Sequence, residues 1–336
     1  MPEPAMQTMP RFVPATLIAV AAPAAPAVAQ TAAAPYDLVI RNARVLDGHG
    51  NPWFRADVAV RGDRIAAMGD LATATAARVI DVDDAFLAPG FIDTHSHAGP
   101  GLATPELSHA EPLLAQGVTT AFINPDGGGM VDLAAQRDEL LADGLGVNVA
   151  QFVPHGSVRR AVLAMEDRLA GPAELEQMRG LVRAGMEEGA WGLSSGPFYA
   201  PGSYSDTREL VELAKVVAPF GGAYQSHVRD ESDYTIGVVA AVDEVVTVAR
   251  EAGIPGVWTH AKALGPPVWG FATALVHRLE RARENGVEVY TDQYPYLASA
   301  TGLTSALLPR WAQAGGSDSL RARLGRVADR SRIRDA

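Results

Sequence analysis

Between Tyr36 and Ala88 apolar and polar positions alternate in short runs, and such alternation marks extended chain, where successive side chains point to opposite faces. The runs at 37–40, 43–46, 56–60, 65–68 and 79–81 predict strands. Asp47-Gly48, Gly50-Asn51-Pro52 and Arg61-Gly62-Asp63-Arg64 predict the turns between them. Residues 36–88 are therefore expected to form a small, sandwich-like β subdomain. After Pro89-Gly90 the rhythm changes. Apolar runs at 91–95, 119–123, 147–153, 191–194, 223–227, 256–260 and 287–290 alternate with helical periodicities at 130–143, 172–189, 206–218, 236–252 and 271–285. Strands separated by helices imply a parallel sheet. The expected fold class is α/β, a (β/α)8 TIM-like barrel over 89–336 whose eighth strand is missing, with a helix at 319–335 after the seventh.

The first 35 residues follow neither rhythm. Arg11 precedes an apolar, alanine-rich run over 12–28 that ends in Ala27-Val28-Ala29 before Gln30. This reads as a signal peptide over 1–29 and a linker over 30–35, and so predicts a periplasmic or secreted location in a bacterium. Pro14, Pro23 and Pro26 interrupt the run, so a disordered Ala/Pro leader stays open as the alternative. No later stretch approaches the roughly 18 apolar residues of a membrane span, and none is expected.

Charge narrows the partners. With 39 acidic and 28 basic side chains the net charge is −11, which argues against nucleic acid as the main partner. The absence of cysteine excludes disulfides and thiolate chemistry. Only Lys215 and Lys262 are lysines.

Chemistry in such a barrel sits at the C-terminal ends of the strands. Of eight histidines, His95, His97, His227 and His260 fall at or just past the ends of expected strands one, five and six, and His155 ends strand three. His95-Ser96-His97 on extended chain puts both imidazoles on one side, an arrangement that can share a metal ion.

Pro89-Gly90-Phe91-Ile92-Asp93-Thr94-His95-Ser96-His97 after a small β unit resembles the opening strand of the amidohydrolase superfamily. Gly192-Leu193-Ser194-Ser195-Gly196, Ser226-His227-Val228-Arg229-Asp230-Glu231, Thr259-His260-Ala261-Lys262 and Asp292-Gln293-Tyr294-Pro295-Tyr296 narrow the resemblance to its N-acyl-D-amino-acid deacylase (D-aminoacylase) family, over about Tyr36 to Trp311. The resemblance implies Zn2+ as cofactor, with His95 and His97 facing the metal and His227 and His260 as ligands. Where the family usually has a cysteine this chain has Asp126, in Ile123-Asn124-Pro125-Asp126-Gly127; it reads either as an anionic ligand or as an Asx residue shaping the turn. Neither lysine stands at the end of strand four, which disfavours a carboxylated-lysine bridge.

A small-molecule substrate with a free carboxylate is implied, and Tyr199, Arg229, Lys262 and Tyr294 match the positions that bind it. Arg229 also reads as a local ion pair with Asp230 or Glu231, and His155 as either a pocket residue, an oxyanion donor or a packed histidine. The implied reaction is zinc-dependent hydrolysis of an N-acyl-D-amino acid to a carboxylate and a free D-amino acid. An L,D-dipeptidase of the same family, or a binding protein without turnover, stays open. The family's proton-transferring aspartate ends strand eight and has no match before Ala336, so the catalytic residue is unassigned and residues 1–336 alone are expected to be inactive.

Overall fold

The structure, a computed structural model, describes residues 36–336; the leader and linker readings for 1–35 lie outside these residues. The chain divides into two compact units, one ending at Pro89 and the other starting at Gly90.

The first unit contains β1 (Tyr36–Val45), β2 (Phe54–Arg61), β3 (Arg64–Gly69), β4 (Ala76–Asp81) and β5 (Phe86–Leu87). They form one sheet in the order β3-β2-β1-β4, with β5 also paired to β1. The sandwich-like expectation is therefore corrected to a single sheet among the described residues. The tight hairpin at Gly62 (φ 58°) keeps β2 beside β3 in that layer. The strands expected at 37–40 and 43–46 are one strand with a bulge between Ile40 and Ala43. Asn42 takes the left-handed conformation there (φ 60°), which Asn tolerates well. Its N–H donates to Asp57 Oδ1 at 2.9 Å and its amide to Asp81 Oδ2 at 2.8 Å, so the irregularity is tied to two other segments. Ala43, Val45 and Val58 make the small core.

The second unit holds parallel strands β6 (Phe91–Asp93), β7 (Val118–Ile123), β8 (Asn148–Gln151), β9 (Val153–Pro154), β10 (Gly192–Ser195), β11 (Ala223–Ser226), β12 (Gly256–Trp258) and β13 (Val289–Thr291). They pair as β6-β7-β8 and β9-β10-β11-β12-β13. The segment expected as one third strand is split at Phe152: β8 pairs back onto β7, whereas β9 pairs forward onto β10. Phe152 N–H still reaches Ile123 O at 3.2 Å.

Helices Leu133–Leu141, Pro172–Glu187, Thr207–Val217, Val238–Ala252 and Ala272–Glu284 occupy the periodic segments. Asp206 caps the third of these by accepting Glu209 N–H at 2.9 Å, and Gly253 ends the fourth in the left-handed conformation at φ 68°. Leu210, Leu213 and Val217 of Thr207–Val217 pack with Val242 and Val245 of Val238–Ala252 against Val153, Leu193, Tyr224 and Trp258 of the strands. Each such side chain contributes about 1.5–3 kcal/mol by leaving water. The helix expected at 319–335 is two, Gly316–Gly325 and Val327–Arg334, broken where Gly325 meets an extended Arg326. His155 opens the helix His155–Leu163, which has no sequence expectation, instead of ending a strand. No helix of the described residues is long and apolar enough to cross a membrane.

Candidate metal centre

His95 lies two residues past β6, His227 one past β11, His260 two past β12 and Asp292 one past β13, so each projects from the same end of the parallel strands. Asp126 meets them from the loop after β7. Its Oδ2 lies 3.5 Å from His95 Nε2 and 3.2 Å from His97 Nε2; its Oδ1 lies 4.0 Å from His227 Nδ1 and 3.7 Å from His260 Nε2. Two groups of donor atoms result, His95-His97-Asp126 and Asp126-His227-His260, each within 4.8 Å. One carboxylate is common to both.

The loop is shaped to deliver that carboxylate. Asn124 (φ 62°) and Asp126 (φ 56°) are both left-handed, a conformation that Asn and Asp accept more readily than most residues. The Asn124 amide is held by Gln136 Oε1 at 2.8 Å and Phe152 O at 3.2 Å. Ser194 Oγ donates to Asn124 O at 2.5 Å. A Cβ on Gly196 would lie 2.2 Å from Asp126 O, so only glycine lets the β10 loop approach this closely. Asp126 Oδ1 is buried and makes no hydrogen bond among the described residues, so that oxygen is not spent on an Asx turn.

Further buried atoms at the same place make no hydrogen bond among the described residues: both ring nitrogens of His95, His227 Nε2 and Asp292 Oδ2. Unpaired buried polar atoms are costly, and their concentration on imidazole nitrogens and carboxylate oxygens fits a divalent cation of the zinc type. The carboxylates make this a place that favours positive charge. Burial opposes charge on His95, yet the Asp126 and Asp292 carboxylates push it up to about 9. Burial pushes His227 down to about 4, so this ring is neutral at pH 7 with a lone pair available. Burial also works against the Asp126 charge, but His260, His95 and His97 hold its carboxyl far below the usual carboxylate range. His260, buried as well, is pushed up by Asp126 and Glu231. Its backbone is unusual (φ 38°), and its N–H donates to Asp292 in a short hydrogen bond.

Tyr199, Lys262 and Tyr294 line a cavity of about 920 Å³ over this cluster, with Lys262 Nζ 5.6 Å from the Tyr294 ring centroid. Tyr199 Oη is 3.4 Å from His227 Nδ1, and burial pushes the phenol up to about 12, so it is a neutral O–H at pH 7. Arg229 is placed elsewhere. Its guanidinium is buried against Glu244 (Oε1 at 2.8 Å) and Ser205 O (2.8 Å), so its ion-pair partner is Glu244 and not Asp230 or Glu231. His155 is fully buried, with Nε2 2.8 Å from Glu209 Oε1 beside Arg159, which makes it the packed histidine of the three readings. Glu231 and Asp292 are parts of the site that residue-by-residue reading does not assign. The available signal for Glu231 is a carboxylate four residues after His227.

The chain is similar to the D-aminoacylase of Alcaligenes xylosoxydans xylosoxydans, 36% identical over 297 residues, covering 82% of this chain and 60% of that protein. It is likewise similar to the N-acyl-D-glutamate deacylase of the same organism, 38% identical over 289 residues, covering 79% and 58%. Among solved structures, the N-acyl-D-glutamate deacylase from Bordetella bronchiseptica, complexed with zinc and a phosphonate inhibitor, matches with a TM-score of 0.71 at 35% identity over 78% of this chain and 59% of that one. The chain thus spans about 60% of the length of the curated relatives it matches. No family model matches it.

Proposed function

For a chain that belongs to the D-aminoacylase family of amidohydrolases, we propose metal-dependent hydrolysis of the amide bond of N-acyl-D-amino acids. The observation that carries this reading is the Asp126 carboxylate within 4.0 Å of four imidazoles at the strand ends. Zn2+ would be held by Asp126, His227 and His260, with His95 and His97 adjoining. Bound there, it supplies Lewis acidity towards a carbonyl and lowers the pKa of water.

The chain's own groups do the rest of the positioning. Asp292 braces the site, accepting the backbone N–H of His260 and facing the His95 ring at Nδ1, 3.7 Å away. The neutral Tyr199 hydroxyl is a donor for negative charge developing on the acyl oxygen. Lys262 and Tyr294 receive the free carboxylate of the substrate, Lys262 as a point charge. In the same reading the parallel strands are the first seven of a (β/α)8 barrel. Export belongs to the proposal too, and mass spectrometry of the native protein should find an N-terminus near Gln30.

The test offers N-acetyl-D-amino acids and their L enantiomers to the full protein carrying this sequence. Release of the D-amino acid alone, lost on chelation and restored by zinc, is the expected result. Equal turnover of both enantiomers, or turnover that survives chelation, overturns the reading.

A further inference from the structure

Glu231 is 3% exposed, and one of its oxygens faces three basic groups. Oε1 lies 2.5 Å from Lys262 Nζ, 3.2 Å from His260 Nδ1 and 3.7 Å from His227 Nε2. The nitrogens that face Glu231 are the ones turned away from Asp126, which is approached by His260 Nε2 and His227 Nδ1.

His260 Nδ1 has a second neighbour with the opposite demand. Lys262 Nζ is 2.7 Å away, and an ammonium can only donate, whereas a carboxylate can only accept. If Nδ1 accepts from Lys262, a neutral ring carries its proton on Nε2, pointing at Asp126, and has no lone pair there for a cation. If Nδ1 donates to Glu231, the lone pair of Nε2 is presented beside Asp126. For His227 the same logic holds: a proton on Nε2, directed at Glu231, leaves the lone pair of Nδ1 on the Asp126 side, where the Tyr199 hydroxyl also lies at 3.4 Å. The tautomer of a ligating imidazole is commonly set by the group that receives its other N–H.

We propose that Glu231 is a positioning residue that holds His227 and His260 in their cation-binding tautomers and competes with His260 Nδ1 for the Lys262 ammonium. Its place is built into the fold. Leu264 N–H donates to Glu231 O at 2.7 Å, and the preceding Asp230 anchors the turn by accepting N–H from Ser232 and Gly237 at 2.9 and 3.1 Å. The carboxylate therefore stays buried behind both rings. One oxygen links the metal ligands to the lysine that awaits the substrate.

The inference rests on the metal-site reading, and its test is zinc affinity together with imidazole NMR, neither of which requires turnover. Zinc Kd at pH 7, measured by competition with a chromophoric chelator, should rise about 10- to 100-fold in E231Q with the far-UV spectrum unchanged. A glutamine amide can donate as well as accept, so it no longer selects one tautomer. K262M removes only the competing donor and should bind zinc at least as tightly as the unaltered chain. In the unaltered zinc-loaded protein, nitrogen-15 imidazole spectra should place the protons on His260 Nδ1 and His227 Nε2, a result that needs no variant to fold. Unchanged zinc affinity in E231Q, a large loss in K262M, or the opposite tautomers each overturn the proposal. If the unaltered chain binds no zinc, the metal-site reading itself is wrong.

Discussion

Replacing Asp126 by Asn separates the two roles that this residue can play. Asn keeps the shape and accepts the left-handed backbone at φ 56°, so the turn survives while the charge is lost. In the metal-free protein, burial opposes a charged His95, and Asp126 with Asp292 nevertheless moves it from 6.5 to about 9. At about 1.36 kcal/mol per pKa unit, this corresponds to roughly 3 kcal/mol of preference for the protonated ring. The sign follows from a raised folded-state pKa: the stabilisation is fully present below the unfolded value and is lost as pH rises through about 9. D126N should therefore bring the His95 titration back towards its ordinary range. It should cost up to about 3 kcal/mol at pH 6, a deficit that shrinks above pH 9. For zinc, losing one of the three protein ligands should cost roughly 3 kcal/mol or more, at least about a hundredfold in Kd. Proton competition adds a pH dependence, since the His95 arm of the unaltered site gains affinity as pH rises through about 9. The assays are proton NMR titration of the histidines in apo protein and chelator competition for zinc. A D126N protein with unchanged zinc Kd and His95 still titrating near 9 would show that Asp126 only shapes the turn.

Three further outcomes are expected. R229M leaves Glu244 buried without its partner and should cost about 3–5 kcal/mol in urea unfolding, whereas a change in substrate KM without loss of stability would return Arg229 to the pocket. D230A removes the acceptor of Ser232, Thr235 and Gly237. Burial works against the Asp230 charge but these donors hold its pKa down, so its contribution is present above about pH 4 and fades as pH falls through the lower folded value; equal urea midpoints for D230A and the unaltered chain at pH 7 would contradict this. G196A pushes a methyl into Asp126 O and should cost about 1–3 kcal/mol while weakening zinc binding, and unaltered zinc affinity in a folded G196A would mean that the loop is not held by this approach.

Local periodicity was enough to read the parallel strands, the five main helices and the placement of His95, His97, His227 and His260 at strand ends, because side-chain direction repeats within a few residues. The family motifs sit on those same local segments, and that is why the resemblance was legible without coordinates. Asp126 was visible as a candidate, but its sharing between two sets of imidazoles depends on three other loops converging on it. Only the tertiary structure decided the partners of buried charges. Arg229 reaches Glu244 on a following helix and His155 reaches Glu209, 54 residues away, instead of the neighbours that sequence proximity offers. Glu231 became part of the site in the same way, through the folding of 260–264 back against it. The bulge at Asn42 and the split at Phe152 were hidden too, since each is fixed by hydrogen bonds to distant strands. A charge in the interior takes whichever partner the packed chain brings within reach, and separation along the sequence carries no such information.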